Sequence, residues 1–480
     1  MNVIMVLFIV GWILIFESAF LLLPSIVAII YGEYSVCIAF VISAIISFLL
    51  GFLLKFRKPK TRDLYMREGF ATVALGWIAL SLVGALPFVI SGDIPSYVDA
   101  LFETISGFTT TGASILSDVE ALSKAGLFWR SFTHWIGGMG VFVFIMAVLP
   151  LMGGSTINLM RAESTGPSVG KLVPRVKDTA FILYSMYLGL TVLGAIVYCL
   201  LGMNLYDALT IIFGTVGTGG FGILNSSAGT YSPAIQWAIT IFMILSGINY
   251  SVYFCIIRKK LKDAFSIEEV RWYLGIIALS TLAITINIRG YFDNTWDSLR
   301  HAAFQVGSII TTTGFSTTDF DLWPAFSKTI LLLLMFIGAC SGSTGGGMKI
   351  SRLLIYYKCA RKELSVMAHP RQIQKIQMDG HSVSHETVRS ANVFLVSYFL
   401  ILFVSVLLVS VDNFDFTTNF TAVVATLNNI GPGFNAVGPT GNFQAFSSFS
   451  KIVLMFNMLA GRLELYPMLI LFKISCWKKY

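Results

Sequence analysis

Apolar runs of about twenty residues, long enough to cross a hydrocarbon core as helices, recur along the whole chain. They fall roughly at 3–30, 34–54, 70–91, 127–152, 178–202, 233–257, 272–288, 328–357, 391–411 and 449–475, and predict ten spans. The polar stretches between them are of two kinds that alternate strictly. One kind is basic: Lys55 to Lys60, Arg161 to Lys177, Arg258 to Arg271, Lys349 to Arg389, and Lys478-Lys479 at the end. The other is acidic or neutral: Asp93, Asp99, Glu103, Asp118 and Glu120, then Asp207, then Asp293, Asp297, Asp319 and Asp321, then Asp412 and Asp415. The positive-inside tendency puts the basic loops and both termini in the cytoplasm. The acidic loops then face outward, where they raise the local cation concentration. The first run lacks a basic leader and a small-residue cleavage site and contains Glu17, so it is predicted to be a retained helix.

Composition strengthens this picture. Hydrophobic residues make up 56% of the 480 and charged residues 12%, with a mean hydropathy of +0.78. A soluble domain carries about twice that charged share, so much of the surface must face lipid. The net charge of +8 is too diffuse for a nucleic-acid binder. Cys37, Cys199, Cys255, Cys340, Cys359 and Cys476 show no paired or zinc spacing and read as buried small hydrophobes. With no P-loop, nucleotide sensing would have to come from a partner chain.

The outward connections resemble one another. Aligned on Gly112, Gly220, Gly314 and Gly431, four Thr/Gly-rich stretches each place a small residue six positions earlier: Ser106, Gly214, Ser308 and Ala425. The unit is a span, a short half-buried helix, the glycine stretch and a second span, used four times after an N-terminal pair of spans. The predicted fold is therefore an all-α membrane protein with four pseudo-repeated units around a central ion pore. Its parts are 1–60 for the N-terminal pair, then 61–160, 161–265, 266–365 and 366–480. Irregular backbone at membrane depth survives only when it lines a watery cavity or is buried in protein. Glycine lets successive carbonyls turn the same way, and a ring of such carbonyls replaces the hydration shell of a potassium-sized ion. The short helices would aim partly negative C-termini at that ion. Neutral carbonyls suit a monovalent cation better than calcium or magnesium. A single copy would also fit an ordinary re-entrant turn; four at equivalent positions on the acidic face weigh against that.

At these residues the chain resembles the Trk/Ktr/HKT superfamily of potassium transporters, most closely its bacterial TrkH branch, which shares the N-terminal pair of spans. The resemblance implies potassium uptake through a fourfold pseudosymmetric pore in each subunit, with no catalytic chemistry and no cofactor. It also implies a homodimer in the bacterial inner membrane and a cytosolic nucleotide-binding ring of the TrkA type as partner. Carried over by position, the potassium filter consists of Thr110, Thr111 and Gly112; Thr218, Gly219 and Gly220; Thr312, Thr313 and Gly314; and Asn429, Ile430 and Gly431. Sodium-preferring plant relatives often have Ser at the first filter glycine, so Gly112 favours potassium. Copies two and four depart from the Thr-Thr-Gly pattern and leave the ring chemically uneven.

A second irregularity follows the third filter stretch. After the helical Leu331 to Phe336, the run Gly338 to Gly347 must break the helix, because each Gly costs about 1 kcal/mol relative to Ala. The resemblance implies an intramembrane gating loop made of Ser341, Gly342, Ser343, Thr344, Gly345, Gly346 and Gly347; a close helix-packing patch is the alternative. Arg462 lies near the middle of the last span, where a charge costs roughly 2.5–3.5 kcal/mol. Glu464, two positions on, faces another way and is a poor partner. The family has a matching Arg that projects into the pore, so Arg462 and the loop are expected to form the closed barrier, with a snorkelling or structurally paired Arg as the alternative.

Other marked residues fit blander roles. His381 and His385 read as a solvated surface rather than a metal site, and Glu17 as a packing or lipid-interface group. Lys349–Arg389 would serve equally as a partner dock or as a charge that holds the loop inside. Coupled Na⁺/K⁺ or H⁺/K⁺ symport is the alternative within transport. A membrane-embedded enzyme is the remote one, since Ser131 and His134 lack a third orienting group.

Overall fold

The computed structural model describes residues 1–57, 59, 65–148, 176–371 and 374–477. These are mostly helical, and the strands among them are a two-residue antiparallel pair, Gln377–Met378 with His381–Ser382. Six helices are long and apolar enough to cross a membrane unbroken: Val3–Tyr31, Tyr34–Lys55, Met66–Ser91, Phe181–Leu200, Glu268–Ile288 and His385–Asp412. A seventh span is the pair Pro233–Ser246 and Tyr250–Ile257, bent by 93°. The chain is a multi-pass membrane protein. Its outward helix faces leave Ile30, Leu53, Leu279 and Leu407 exposed, as lipid contact requires. Residues 149–175 and the lysines at 58, 60, 478 and 479, which carry part of the charge alternation, lie outside the described residues.

Intact spans are fewer than the ten predicted because three of those runs break and a fourth, 127–152, extends beyond the described residues. The break after Ile337 is the expected one. Two others were not expected. Pro233–Ser246 ends at Gly247, and the chain restarts at Tyr250 under an Asn249 cap that accepts the Ser251 N–H. The last run stops at Arg462 and resumes at Tyr466. There Leu465 has φ 67° and ψ −52°, and the Tyr466 N–H donates to the Glu464 carbonyl at 2.8 Å. This is a γ-turn of the strained hand. Pro467, in the first turn of the restarted helix, was the local signal.

Four shorter helices lie between the long ones: Tyr97–Phe108, Leu205–Gly217, Thr295–Ile310 and Phe416–Leu427. Each begins in the same way. Ser96 accepts the N–H of Asp99, Asn204 that of Asp207, Asn294 that of Asp297, and Asp415 that of Thr418. Such a cap stabilises a helix start by about 1 kcal/mol, and an Asp in the first turn complements the helix dipole. Asp99, Asp207, Asp297 and Asp415 thus shape the fold as well as charge the outer loops. Asp99 also pairs with Lys451 at 2.6 Å, and Asp93 accepts the Ser123 hydroxyl at 2.6 Å.

Candidate functional site

The four short helices also end alike. The carbonyl of the small residue identified by alignment accepts an N–H five residues on: Ser106 from Thr111 at 2.9 Å, Gly214 from Gly219 at 2.8 Å, Ser308 from Thr313 at 2.8 Å and Ala425 from Ile430 at 2.9 Å. Inside each of these turns, Thr110, Thr218, Thr312 and Asn429 donate their N–H groups to the carbonyls of Gly107, Thr215, Ile309 and Thr426. This pair of hydrogen bonds is a Schellman closure, which needs one residue in the left-handed region. That residue is Thr110, Thr218, Thr312 or Asn429, with φ between 55° and 58°. Three are β-branched, for which this conformation is a rare and strained one, costing roughly 1–3 kcal/mol each. Two residues later the backbone is left-handed again, at Gly112, Gly220, Gly314 and Gly431.

These glycines bring the four stretches against one another. A Cβ on Gly112 would lie 2.0 Å from the Gly219 carbonyl oxygen, one on Gly220 1.9 Å from that of Thr313, and one on Gly314 2.1 Å from that of Ile430. The series closes, since a Cβ on Gly431 would lie 2.8 Å from the Thr111 carbonyl oxygen. Each stretch therefore abuts the next in cyclic order. All four glycines line a vestibule of about 190 Å³ whose wall also carries Ser114, Asn225, Thr440 and Asn442. One side chain ties two stretches laterally, the Asn429 amide donating to the Thr111 hydroxyl at 2.9 Å, while Thr109–Thr111 and Thr311–Thr313 pair within their own stretches at 2.8 and 2.7 Å.

The loop after Ile337 lies against the ends of these stretches. A Cβ on Gly345 would lie 2.8 Å from the Thr311 carbonyl oxygen, and one on Gly346 2.4 Å from that of Asn428. The Gly346 N–H donates to the Thr312 hydroxyl at 2.6 Å. Glu269, buried at the start of its span, accepts N–H groups from Ser341 at 2.7 Å and Ser351 at 3.1 Å, gripping the loop at both of its feet. Arg462 joins three parts of the site. Its guanidinium donates to the Thr110 hydroxyl at 3.1 Å, to the Thr344 carbonyl at 2.7 Å and to the Gly137 carbonyl at 2.6 Å. Glu464 pairs with Arg352; it lies past the end of the helix with φ 56°, so the helix-face argument does not apply to it.

The charge pattern puts Glu103 in an outer loop and Lys349 in a cytoplasmic one, but both are buried within the protein, and Arg130 is not singled out at all. Lys349 is buried with φ 74°, and its ammonium donates to the Gly345 carbonyl. Glu103 and Arg130 form a buried ion pair at 2.6 Å. Glu103 also accepts the Ile115 N–H at 3.1 Å, while Arg130 donates to the Gly222 carbonyl at 3.1 Å, so the pair joins the first and second stretches. An Arg inside an apolar run is itself a signal, because such a charge must find a partner. Removing one member strands the other, a loss of about 3–5 kcal/mol. Glu103→Ala is therefore expected to lower the thermal unfolding midpoint sharply in detergent; an unchanged midpoint would show that the pair adds nothing.

His134 takes a structural place. The Phe221 N–H donates to its Nε2 at 3.1 Å, so Nδ1 carries the hydrogen and donates to the Gly107 carbonyl at 2.8 Å. Both nitrogens are thereby committed to backbone groups of Gly107 and Phe221, and Ser131 Oγ has no hydrogen-bond partner. His381 and His385 are exposed, and no cluster of three metal-ligating side chains occurs among the described residues.

The family model for TrkH, described as a cation transport protein, matches residues 37–289 and 292–478. The Trk system potassium uptake protein TrkH of Salmonella typhimurium is 37% identical over 481 residues, covering 98% of both chains. The Trk system potassium uptake protein TrkG of Escherichia coli is 34% identical over 475 residues, covering 98% of this chain and 97% of its own. Among solved structures, the crystal structure of the potassium transporter TrkH from Vibrio parahaemolyticus superposes with a TM-score of 0.88 at 34% identity, covering all of both chains.

Proposed function

As the chain belongs to the TrkH cation transport family, a family of transporters rather than enzymes, we propose that it takes up potassium through a channel-like pore. The pore lies on the axis of four repeated units, 61–160, 161–265, 266–365 and 366–480, with 1–60 as an added pair of helices. The selectivity filter is the backbone of Thr110, Thr111 and Gly112; Thr218, Gly219 and Gly220; Thr312, Thr313 and Gly314; and Asn429, Ile430 and Gly431. The observation that carries this reading is the cyclic contact of four left-handed turns with matching hydrogen bonds. Carbonyls fixed in such a ring exchange for the water around a dehydrating monovalent ion without reorganising.

Below the filter, residues 341–347 and Arg462 form the gate. The loop is held against the filter by Gly346 and Thr312, and the guanidinium adds a fixed positive charge where a cation must pass. Both termini and the basic loops lie in the cytoplasm, and the membrane is the bacterial inner membrane. The relatives' printed description as parts of a Trk system supports a chain that works with other components. Those components are a second copy and a cytosolic nucleotide-binding ring; the exposed part of Lys349–Arg389, beyond the buried Lys349 and Arg352, serves equally as a dock for that ring or as a charge that holds the loop inside.

The test is rubidium uptake into proteoliposomes of the purified chain, with potassium or sodium as competitor. Suppression by potassium and not by sodium is expected. Equal competition by sodium would overturn the selective filter, and uptake that requires a second ion would favour symport.

A further inference from the structure

The helix Glu268–Ile288 has a poor start by its own sequence. Its N-cap is Ile267, whose side chain can accept no hydrogen bond, and its first backbone bond, from the Arg271 N–H to the Ile267 carbonyl, is long at 3.4 Å. A cap arrives instead from 111 residues away, where Asp379 Oδ1 accepts the Glu268 N–H at 2.7 Å. Asp379 stands at the tip of the hairpin in which Met378 pairs with His381. It and Gly380 have φ of 51° and 78°, as both central residues of such a two-residue turn require. Lys358 completes the junction, donating to the Glu268 carboxylate and, at 2.6 Å, to the Gln377 carbonyl. Lys358 belongs to the helix Ile350–Ala368, seven residues after Ser351 and so on the same face.

One helix start therefore makes two sets of contacts. Glu268 is stapled to the hairpin and to Lys358. Glu269, the next residue, is 5% exposed, and its Oε1 alone receives the N–H groups of both Ser341 and Ser351. The Ser341 and Ser351 hydroxyls also pair with each other, so the two feet of the loop meet at one point and a shift of that oxygen moves both. Glu269 lies in the first turn of its helix, the part that frays when no cap holds it. We infer that the hairpin at 377–382 is a positioning element for the loop at 341–347: Asp379 fixes the first turn, the first turn fixes Glu269, and Glu269 fixes both feet. Its consequence for transport rests on the reading of that loop as the gate. Asp379 and Glu269 each act as acceptors from backbone N–H groups, so an amide oxygen in the same place can replace either carboxylate.

Cys340, next to the first foot, reports on the loop: it is buried, and its N–H donates to the Gly247 carbonyl at 3.1 Å. The test is the rate at which methyl methanethiosulfonate modifies Cys340 in the full chain in proteoliposomes, read by peptide mass spectrometry, with rubidium leak measured on the same samples. A buried thiol reacts only while its segment is open. Asp379→Ala should speed modification about fivefold, as the loss of one helix cap predicts. Glu269→Ala should speed it about tenfold or more, through the loss of two bonds to a charged acceptor. The double variant should be no faster than Glu269→Ala, because Asp379 acts through Glu269. Asp379→Asn and Glu269→Gln should stay close to wild type. Modification of Cys37, on the helix Tyr34–Lys55, should not change, which separates a released loop from general loosening. Asp379 is exposed, so its variants remain informative even if Glu269→Ala fails to fold. An unchanged Cys340 rate in Asp379→Ala overturns the proposal, and so does a double variant in which the two effects multiply. Faster modification without raised rubidium leak would instead overturn the reading of the loop as the gate.

Discussion

Gly112→Ala, Gly220→Ala and Gly314→Ala are each expected to abolish selective rubidium uptake, while Gly431→Ala keeps a measurable part of it. All four positions are left-handed, so each substitution carries a similar backbone penalty, about 1–2 kcal/mol. What separates them is space. A methyl at Gly112, Gly220 or Gly314 would lie 1.9 to 2.1 Å from a carbonyl oxygen of the next stretch, and no side chain is there to move aside. The backbone itself must shift, and it is the backbone that would coordinate the ion. At Gly431 the nearest atom is the Thr111 carbonyl oxygen at 2.8 Å, so a few tenths of an ångström of relaxation suffices. Initial uptake rates, normalised to reconstituted protein and measured with and without sodium, decide the matter. If Gly220→Ala transports selectively, the four stretches do not form the filter. If Gly431→Ala is as inactive as the others, the spacing around the ring does not set the tolerance.

The four matching turns were legible because their key residues are of unusual type at fixed offsets. A Gly and a small residue six positions before it are what a Schellman closure in a crowded ring demands, so composition alone exposed all four copies. Serine, glycine, serine and alanine at that position fit a crowded turn: a Cβ on Gly214 would lie 2.9 Å from Phe315 Cζ, and the Ser308 hydroxyl donates to the Phe315 carbonyl at 2.6 Å. The helix starts were equally legible in principle: Ser96, Asn204, Asn294 and Asp415 each stand three residues before the N–H they cap. The break at Gly338 to Gly347 stood out through its glycines. The break after Arg462 did not, because Glu464 and Leu465 are ordinary residues forced left-handed by their surroundings. Lateral ties such as Glu103–Arg130 and the Glu269 grip on Ser341 and Ser351 link positions tens of residues apart. A single sequence offers no pairing rule for them beyond the expectation that a buried charge has a partner.

Arg462→Ala should raise basal cation flux about tenfold, with Arg462→Lys between it and wild type. Arg462 donates to the Thr110 hydroxyl in the first glycine stretch, to the 341–347 loop through Thr344 and to the helix Lys124–Val148 through Gly137. Three elements, at Thr110, Gly137 and Thr344, are thereby pinned by one side chain. A hydrogen bond from a charged group contributes roughly 1.5–3 kcal/mol, so losing the Thr344 contact alone shifts a closed–open equilibrium by about a factor of ten or more. Charge acts in the same direction. At ~4 Å and an effective dielectric near 20, a guanidinium opposes a passing monovalent cation by about 4 kcal/mol, and alanine removes that barrier. Lysine keeps the charge but not the planar fork that reaches three acceptors at once, which sets its intermediate place. A purely structural Arg462 makes the opposite forecast: alanine would loosen the junction of filter, loop and helix, and flux would fall along with thermal stability. The two are separated by measuring rubidium leak and the unfolding midpoint on the same reconstituted samples. Raised flux with a retained midpoint is the expected pair, and reduced or unchanged flux removes Arg462 from the gate.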